Sequence, residues 1–316
     1  MNTIEKISKT QIRKIGQSIR KNLINENELN IFNAYRNIYI EVMEYFVNSI
    51  KDKLPKPLFI ARRLKRLESI KIKLQRFPQM ELDRIQDIGG TRAVFKNLNE
   101  VKEYIKNIKQ INDIPFKLIK ENNYISNPKD DGYRSYHLIF ECLLENLKGY
   151  KVELQIRDLR QHYWATAVEI LGLINQNNNI KIGKAEEFYK KFFFLSSKLL
   201  HNEINDTEIN ELKILNDKHK ILEILKGFSL AFNHIDTAIE NLIYIIYIDY
   251  VEKTVNINPF HKNNIKVASI LYKELEKQNN INAVLIDTSD IKNLELAYPN
   301  YFGEATEFIK IIENFI

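Results

Sequence analysis

The run Val152-Glu153-Leu154-Gln155-Ile156-Arg157 alternates apolar and polar residues without a break, the pattern of a half-buried β-strand. Side chains alternate across a strand, so the carboxylate of Glu153, the amide of Gln155 and the guanidinium of Arg157 share one face, and the three aliphatics share the other. Nearby lies the loop Pro128-Lys129-Asp130-Asp131-Gly132-Tyr133-Arg134-Ser135, basic, glycine-containing and surface-seeking. A carboxylate held rigidly beside such a loop points to phosphate chemistry.

A second acid, Asp87, precedes Ile88-Gly89-Gly90-Thr91-Arg92-Ala93-Val94-Phe95, which reads as a turn feeding a strand. Paired glycines let the backbone pass close to a ligand, and the acid before them could hold a metal; the same context is also a common turn. Residues 62–76 carry seven basic residues and one acid, Glu68. That balance is too one-sided for internal pairing and is read as a polyanion site. Here Ser69 would cap a helix whose first turn binds phosphate, with Lys73 on the same face one turn on.

The elements that must position these groups follow from periodicity. Residues 1–53 read as helices, with Ile31, Ala34, Tyr35, Ile38, Val42, Tyr45 and Phe46 at helical spacing, and Pro55-Lys56-Pro57 ends them. Val101 to Ile108 reads as a short amphipathic helix, and Phe116 to Ile119 and Tyr136 to Leu143 as strands. Asp158 stands where a helix N-cap belongs, before the stripe Leu159, Tyr163, Trp164, Ala167, Ile170, Leu171 and Ile174. Helices are expected over 184–202 and 207–241. A hairpin (Tyr244 to Tyr250, Thr254 to Asn258), a helix (Lys262 to Gln278), a strand (Ala283 to Asp287) and a last helix after Tyr298, Tyr301 and Phe302 complete the pattern.

The expected domains are a helical segment 1–54, a central unit 55–200, a helical connector 201–241 and a small α+β unit 242–316. The 316 residues suffice for more than one packed unit, and a 44% hydrophobic content is that of a globular protein. The formal net charge of +6 fits a polyphosphate or RNA ligand. A single cysteine, Cys142, excludes an intramolecular disulfide and fits a reducing compartment; its place in a strand marks it as buried. The first 25 residues have no apolar signal-like core, and no apolar run is long enough to cross a bilayer, so a soluble cytoplasmic protein is expected. Zinc-spaced Cys/His pairs, a P-loop and internal repeats are absent from the sequence.

Four motifs in order make the chain resemble the RelA/SpoT nucleotide pyrophosphokinases: R-x-K-x-x-x-S-I-x-x-K-L at 63–74, D-I-x-G-x-R at 87–92, Y-I-x-x-P-K-x-x-G-Y-R-S-x-H at 124–137 and V-E-x-Q-I-R at 152–157. The resemblance covers roughly residues 55–200. It implies an α+β fold with a nucleotidyltransferase-like mixed β-sheet flanked by helices. It also implies transfer of the β,γ-pyrophosphate of ATP to the 3′-hydroxyl of GDP or GTP.

By the resemblance, Asp87 and Glu153 are the catalytic pair and the ligands of Mg2+, with Glu153 also helping to deprotonate the attacking hydroxyl. Arg63, Lys65, Ser69, Lys73 and Arg92 match the ATP side. Lys129, Tyr133, His137 and Gln155 match the acceptor side, Tyr133 stacking on the base. Read without the resemblance, His137 could be a core histidine and Tyr133 a loop-packing residue. No His-Asp dipeptide of the family's hydrolase domain occurs, so synthesis without degradation is expected.

Asn122 and Asn123 stand where many members carry charge, which leaves an adenosine nucleotide or the 3′ end of tRNA open as acceptor. A catalytically silent nucleotide-binding regulator is the reading from another class, and the retained acidic pair argues against it. The C-terminal unit could serve as an oligomerisation surface, a substrate platform or a lid.

Overall fold

The computed structural model describes residues 7–174, 187–227, 231–232, 242–249, 251, 254–278, 280–287 and 305–316. In chain order its first half contains helices α1 (Lys9–Arg20) and α2 (Glu26–Ile50), strand β1 (Phe59–Leu64), α3 (Leu67–Arg76), β2 (Gly89–Phe95), α4 (Leu98–Gln110), β3 (Phe116–Asn123), β4 (Tyr136–Cys142) and β5 (Lys151–Asp158). The second half contains α5 (Leu159–Ile174), α6 (Glu187–Leu200), α7 (Asp206–His219), α8 (Ile221–Gly227), β6 (Ala231–Phe232), β7 (Leu242–Asp249), β8 (Thr254–His261), α9 (Ile265–Glu276), β9 (Ile281–Asp287) and α10 (Thr306–Glu313).

The strands form one mixed sheet in the order β3-β4-β5-β2-β1-β9-β7-β8-β6. β2 and β5 run parallel, while β1 pairs antiparallel with β2 and β4 antiparallel with β5. An α+β fold with helices on a mixed sheet is therefore what the chain adopts.

Register explains how the alternation of β5 becomes a site. Arg63, Gly90 and Glu153 are lateral partners across β1, β2 and β5, and Ala61, Arg92, Gln155 and His137 form the next row across four strands. Lateral partners point to the same side of a sheet, so both rows share one face. The other face carries Leu64, Ala93, Leu138, Phe140, Val152, Leu154 and Ile156 into a core shared with Ile15 of α1, Phe32, Val42 and Phe46 of α2 and Tyr104 of α4. A second core joins α5 to α8 and α10 through Trp164, Phe193, Leu199, Leu212, Leu222 and Phe308.

Several expectations change. The basic run 62–76 is two elements, because Phe59 to Leu64 pairs with β2 as a strand and only Leu67 to Arg76 is helical. On α2 the buried face runs through Phe32, Tyr35, Tyr39, Val42, Met43 and Phe46, whereas Ala34 and Tyr45 are exposed. The expected helix 207–241 breaks at Lys220, whose φ of 52° is left-handed. There the Asn216 side chain accepts from the Leu222 amide at 3.0 Å, so the apolar rhythm continues in a new helix, α8; residues 233–241 lie outside the described ones, as do Tyr298, Tyr301 and Phe302.

The C-terminal hairpin, helix and strand form as expected, with longer strands. Their sheet continues the central one, since β9 pairs with β1 at Arg62 and Arg63. Cys142 is buried in β4. Among the described residues no helix is long and apolar enough to cross a membrane.

Candidate active site

One cleft lies on the polar face of the sheet, lined by Ala61, Arg63 and Lys65, by Asp87, Gly90, Thr91 and Arg92, and by Glu153 and Gln155. Its floor is Gly90, which stands between Arg63 and Glu153 in the register. A Cβ on Gly90 would meet nothing closer than the Arg63 carbonyl oxygen at 3.8 Å, so its open side is the cleft itself. Gly89 serves packing instead: a Cβ there would come within 3.0 Å of Tyr39 and 3.2 Å of Met43 on α2. Only one of the paired glycines faces the site.

Asp87 enters from the turn before β2 and is gripped by two ammonium groups. Lys65 Nζ donates to its Oδ2 and Lys73 Nζ to its Oδ1, each at 2.9 Å. Burial alone would raise this carboxyl's pKa; Lys65 and Lys73 outweigh it and hold the group far below the usual carboxylate range. Lys73 reaches Asp87 from the last turn of α3, whose N-cap residue is Arg66. Ser69 is therefore not the cap. It sits inside the first turn, partly buried, and the cap position is Arg66, three residues earlier than the sequence suggested.

Glu153 is held from the opposite side by a chain of hydrogen bonds. Its Oε1 lies 2.9 Å from His137 Nδ1, its Oε2 accepts from Gln155 Nε2 at 2.8 Å, and Arg157 Nη2 donates to Gln155 Oε1 at 2.9 Å. The other nitrogen of His137, Nε2, lies 2.8 Å from the Tyr133 hydroxyl. The alternation of β5 thus has the expected consequence: the acid, the amide and the guanidinium meet on one face.

Burial opposes charge on His137, yet the Tyr133 phenol and the Glu153 carboxylate overcome it and raise its pKa to about 9. Burial likewise opposes charge on Glu153, and His137 outweighs it, so the carboxyl stays lowered although the charge of Asp87 works against its ionisation. His137 is buried with both ring nitrogens engaged, which makes it a support for Glu153.

The loop carrying Tyr133 is fixed from α6. Gly132 has φ of 89°, and a Cβ there would lie 2.9 Å from Ser197 Cβ and 3.1 Å from Phe194 Cα. Ser197 Oγ donates to the Gly132 carbonyl at 2.6 Å. Arg134, buried, donates to Glu203, to the Ile125 carbonyl and to Ser197 Oγ. Lys129 Nζ lies 4.6 Å from the ring centre of Tyr124 and 4.7 Å from that of Tyr133, a cation over two aromatic faces.

Tyr124 and Arg134 were not singled out from the sequence, although both fall within the 124–137 motif. Asn123 spends its side chain on the turn, accepting from the amides of Ile125 and Ser126. Asn122 is the lateral partner of His137 and so shares its face.

All eleven residues assigned from the sequence now have a place. Arg63, Lys65, Asp87, Arg92, Glu153 and Gln155 line the cleft; Lys73 joins it through Asp87, and His137 and Tyr133 through Glu153; Lys129 covers Tyr133, and Ser69 lies one turn ahead of Lys73 on α3. Among the described residues no group of three or more His, Cys, Asp or Glu is arranged to hold a metal. Two opposed carboxylates in one cleft still suit Mg2+, a hard cation that takes one or two protein carboxylates and completes its shell with water and substrate phosphates.

Residues 62–170 match the family model described as the region found in RelA / SpoT proteins. Two Bacillus subtilis proteins are similar to the chain. GTP pyrophosphokinase YjbM is 31% identical over 139 residues, 41% of this chain and 65% of that protein. GTP pyrophosphokinase YwaC is 34% identical over 112 residues, 33% of this chain and 52% of that protein. The chain thus spans less than two thirds of either relative. Solved structures that align with it include small alarmone synthetase 1 from Bacillus subtilis bound to its product pppGpp, at 24% identity and a TM-score of 0.45 over 55% of this chain and 92% of that one. Another is a GTP pyrophosphokinase family protein from Streptococcus pneumoniae, at 24% identity and a TM-score of 0.44 over 63% of this chain and 98% of that one.

Proposed function

We propose that this chain, whose residues 62–170 match the region found in RelA / SpoT proteins, is a pyrophosphokinase that transfers the β,γ-pyrophosphate of ATP to the 3′-hydroxyl of GDP or GTP. The observation that carries the reading is the cleft itself: Asp87 and Glu153 face a common space together with Arg63, Lys65 and Arg92. Two acids and several fixed cations on a rigid sheet match a reaction that spreads negative charge over phosphate oxygens. The names of both B. subtilis relatives point the same way.

In this reading the acceptor's 3′-oxygen attacks the β-phosphorus of ATP, the bond from that phosphorus to the oxygen bridging the α-phosphate breaks, and AMP leaves. The hydroxyl proton passes to Glu153, which His137 and Gln155 orient towards the cleft. Protonated His137 also stabilises the carboxylate as an anion until the hydroxyl arrives. Arg63 and Arg92 face the adenine and polyphosphate of ATP, and Lys65 and Lys73 bring positive charge beside the β,γ-phosphates. Asp87 and Glu153 would hold Mg2+, which supplies neutralisation of the phosphate oxygens and a lower barrier for the hydroxyl. Tyr133, backed by Lys129, offers the aromatic surface for the acceptor base.

The test is transfer of label from γ-32P-ATP with magnesium, with GDP, GTP, ATP and deacylated tRNA offered in parallel. Label on GDP or GTP is expected. Label on tRNA or ATP alone would keep the chemistry and overturn the guanosine acceptor, and no label on any of them would overturn the enzyme reading.

A further inference from the structure

The joint between β1 and α3 is gripped from behind by residues far away in sequence. Arg66, the N-cap residue of α3, supplies no side-chain cap to its own helix. The cap comes from Glu276, the last residue of α9, whose Oε1 accepts from the Leu67 amide at 3.0 Å and from the Tyr272 hydroxyl at 2.7 Å. Glu276 pairs at 3.4 Å with Arg36 of α2, which is 1% exposed and sandwiched between the rings of Phe32 and Tyr272 at 5.1 and 4.8 Å. Arg36 Nη1 also reaches the Lys65 carbonyl at 3.5 Å. One ion pair therefore holds the backbone on both sides of Arg66.

Lys65 and Lys73 are the two ammonium groups on Asp87, one just before this joint and the other on the helix after it. From Leu67 to Lys73 the helix spans about 9 Å at 1.5 Å per residue, so a small tilt at the joint moves the Lys73 end by a large fraction of a hydrogen-bond length. β9 adds a further clamp by pairing with β1 at Arg62 and Arg63.

We propose that Arg36 and Glu276 are positioning residues for the ATP half of the site, so that the N-terminal and C-terminal segments together set where Lys65 and Lys73 stand. This rests on the nucleotide reading of the cleft. It gives the C-terminal α9 a part in donor binding, distinct from any contact with the acceptor.

The 316-residue chain is titrated calorimetrically with a non-hydrolysable α,β-methylene analogue of ATP in magnesium, and its KM values for ATP and for acceptor are measured separately. Glu276→Ala is expected to weaken analogue binding about tenfold, the equivalent of a lost helix cap with its charge. Acceptor KM should stay within about twofold. Glu276→Gln keeps an oxygen for the Leu67 amide and should recover part of the loss.

Asn37→Ala is the control, since it removes a 2.7 Å bond to Ser269 across the same α2–α9 contact without touching the joint. It should lower the melting temperature and leave analogue affinity unchanged. If Glu276→Ala does not fold, Glu276→Gln carries the test, and wild-type affinity in a folded Glu276 variant overturns the inference. So does equal weakening of donor and acceptor. Wild-type protein that binds no analogue would instead overturn the nucleotide reading on which the inference rests.

Discussion

The two halves of the cleft are built in opposite ways. On the Glu153 side the supporting bonds join residues two, four and sixteen positions apart: Gln155 to Glu153, Tyr133 to His137, and His137 to Glu153. On the Asp87 side the lysines stand 14 and 22 positions from the carboxylate, and the joint that carries them is held by partners 29, 209 and 240 positions apart. Strand geometry organises the bonds to Glu153, and α6 fixes only the Tyr133 loop, from 65 positions away. The second depends on how α2 and α9 pack, so on the proposed function these remote segments would tune binding of the donor and leave the chemistry at Glu153 alone.

Substitutions should separate the halves. The larger effect is expected from His137→Phe, which removes the donor to Glu153 Oε1 and the partner of Tyr133. Turnover should fall about a hundredfold, the usual size of a lost acid–base support, with ATP KM little changed. A matching rise in ATP KM would show that the halves are not independent. A smaller effect is expected from Gly132→Ala, where a left-handed φ and the contact with Ser197 both oppose a Cβ. It should cost about 1–2 kcal/mol in stability by thermal or denaturant unfolding. It should also raise acceptor KM more than ATP KM, and the reverse ranking would place the loop on the donor side.

The same contrast explains what could be read from the sequence. The alternation of Val152 to Arg157 announced both strand and facing direction, because strand period needs no distant information. Asp158 announced the start of α5 for the same reason: its Oδ1 accepts from the Gln161 amide at 2.9 Å, three residues on. The motif order brought Asp87, Glu153, Arg63, Lys65 and Arg92 together; register aligns Arg63, Arg92 and Glu153, and the residues just beyond the strands add Lys65 and Asp87 to the same cleft.

Ser69 misled because a serine near the start of a basic helix is the usual local cap, whereas this helix takes its cap from Glu276. No local pattern encodes a bond across 209 positions. β1 was hidden because Ala61-Arg62-Arg63-Leu64 does not alternate and runs straight into the basic helix. Its pairing with β9 was hidden with it. Lys220 broke a helix whose apolar spacing continued across the break, since periodicity does not register a single left-handed residue.

The most direct test of the account is Glu153→Gln, which keeps the shape of the side chain and removes its charge. With γ-32P-ATP, GDP and magnesium, label transfer by this variant should fall to background while the affinity for the α,β-methylene ATP analogue stays within about twofold of wild type. Label transfer near the wild-type rate would contradict the role of Glu153, and loss of analogue binding together with transfer would contradict the division of the cleft into two halves.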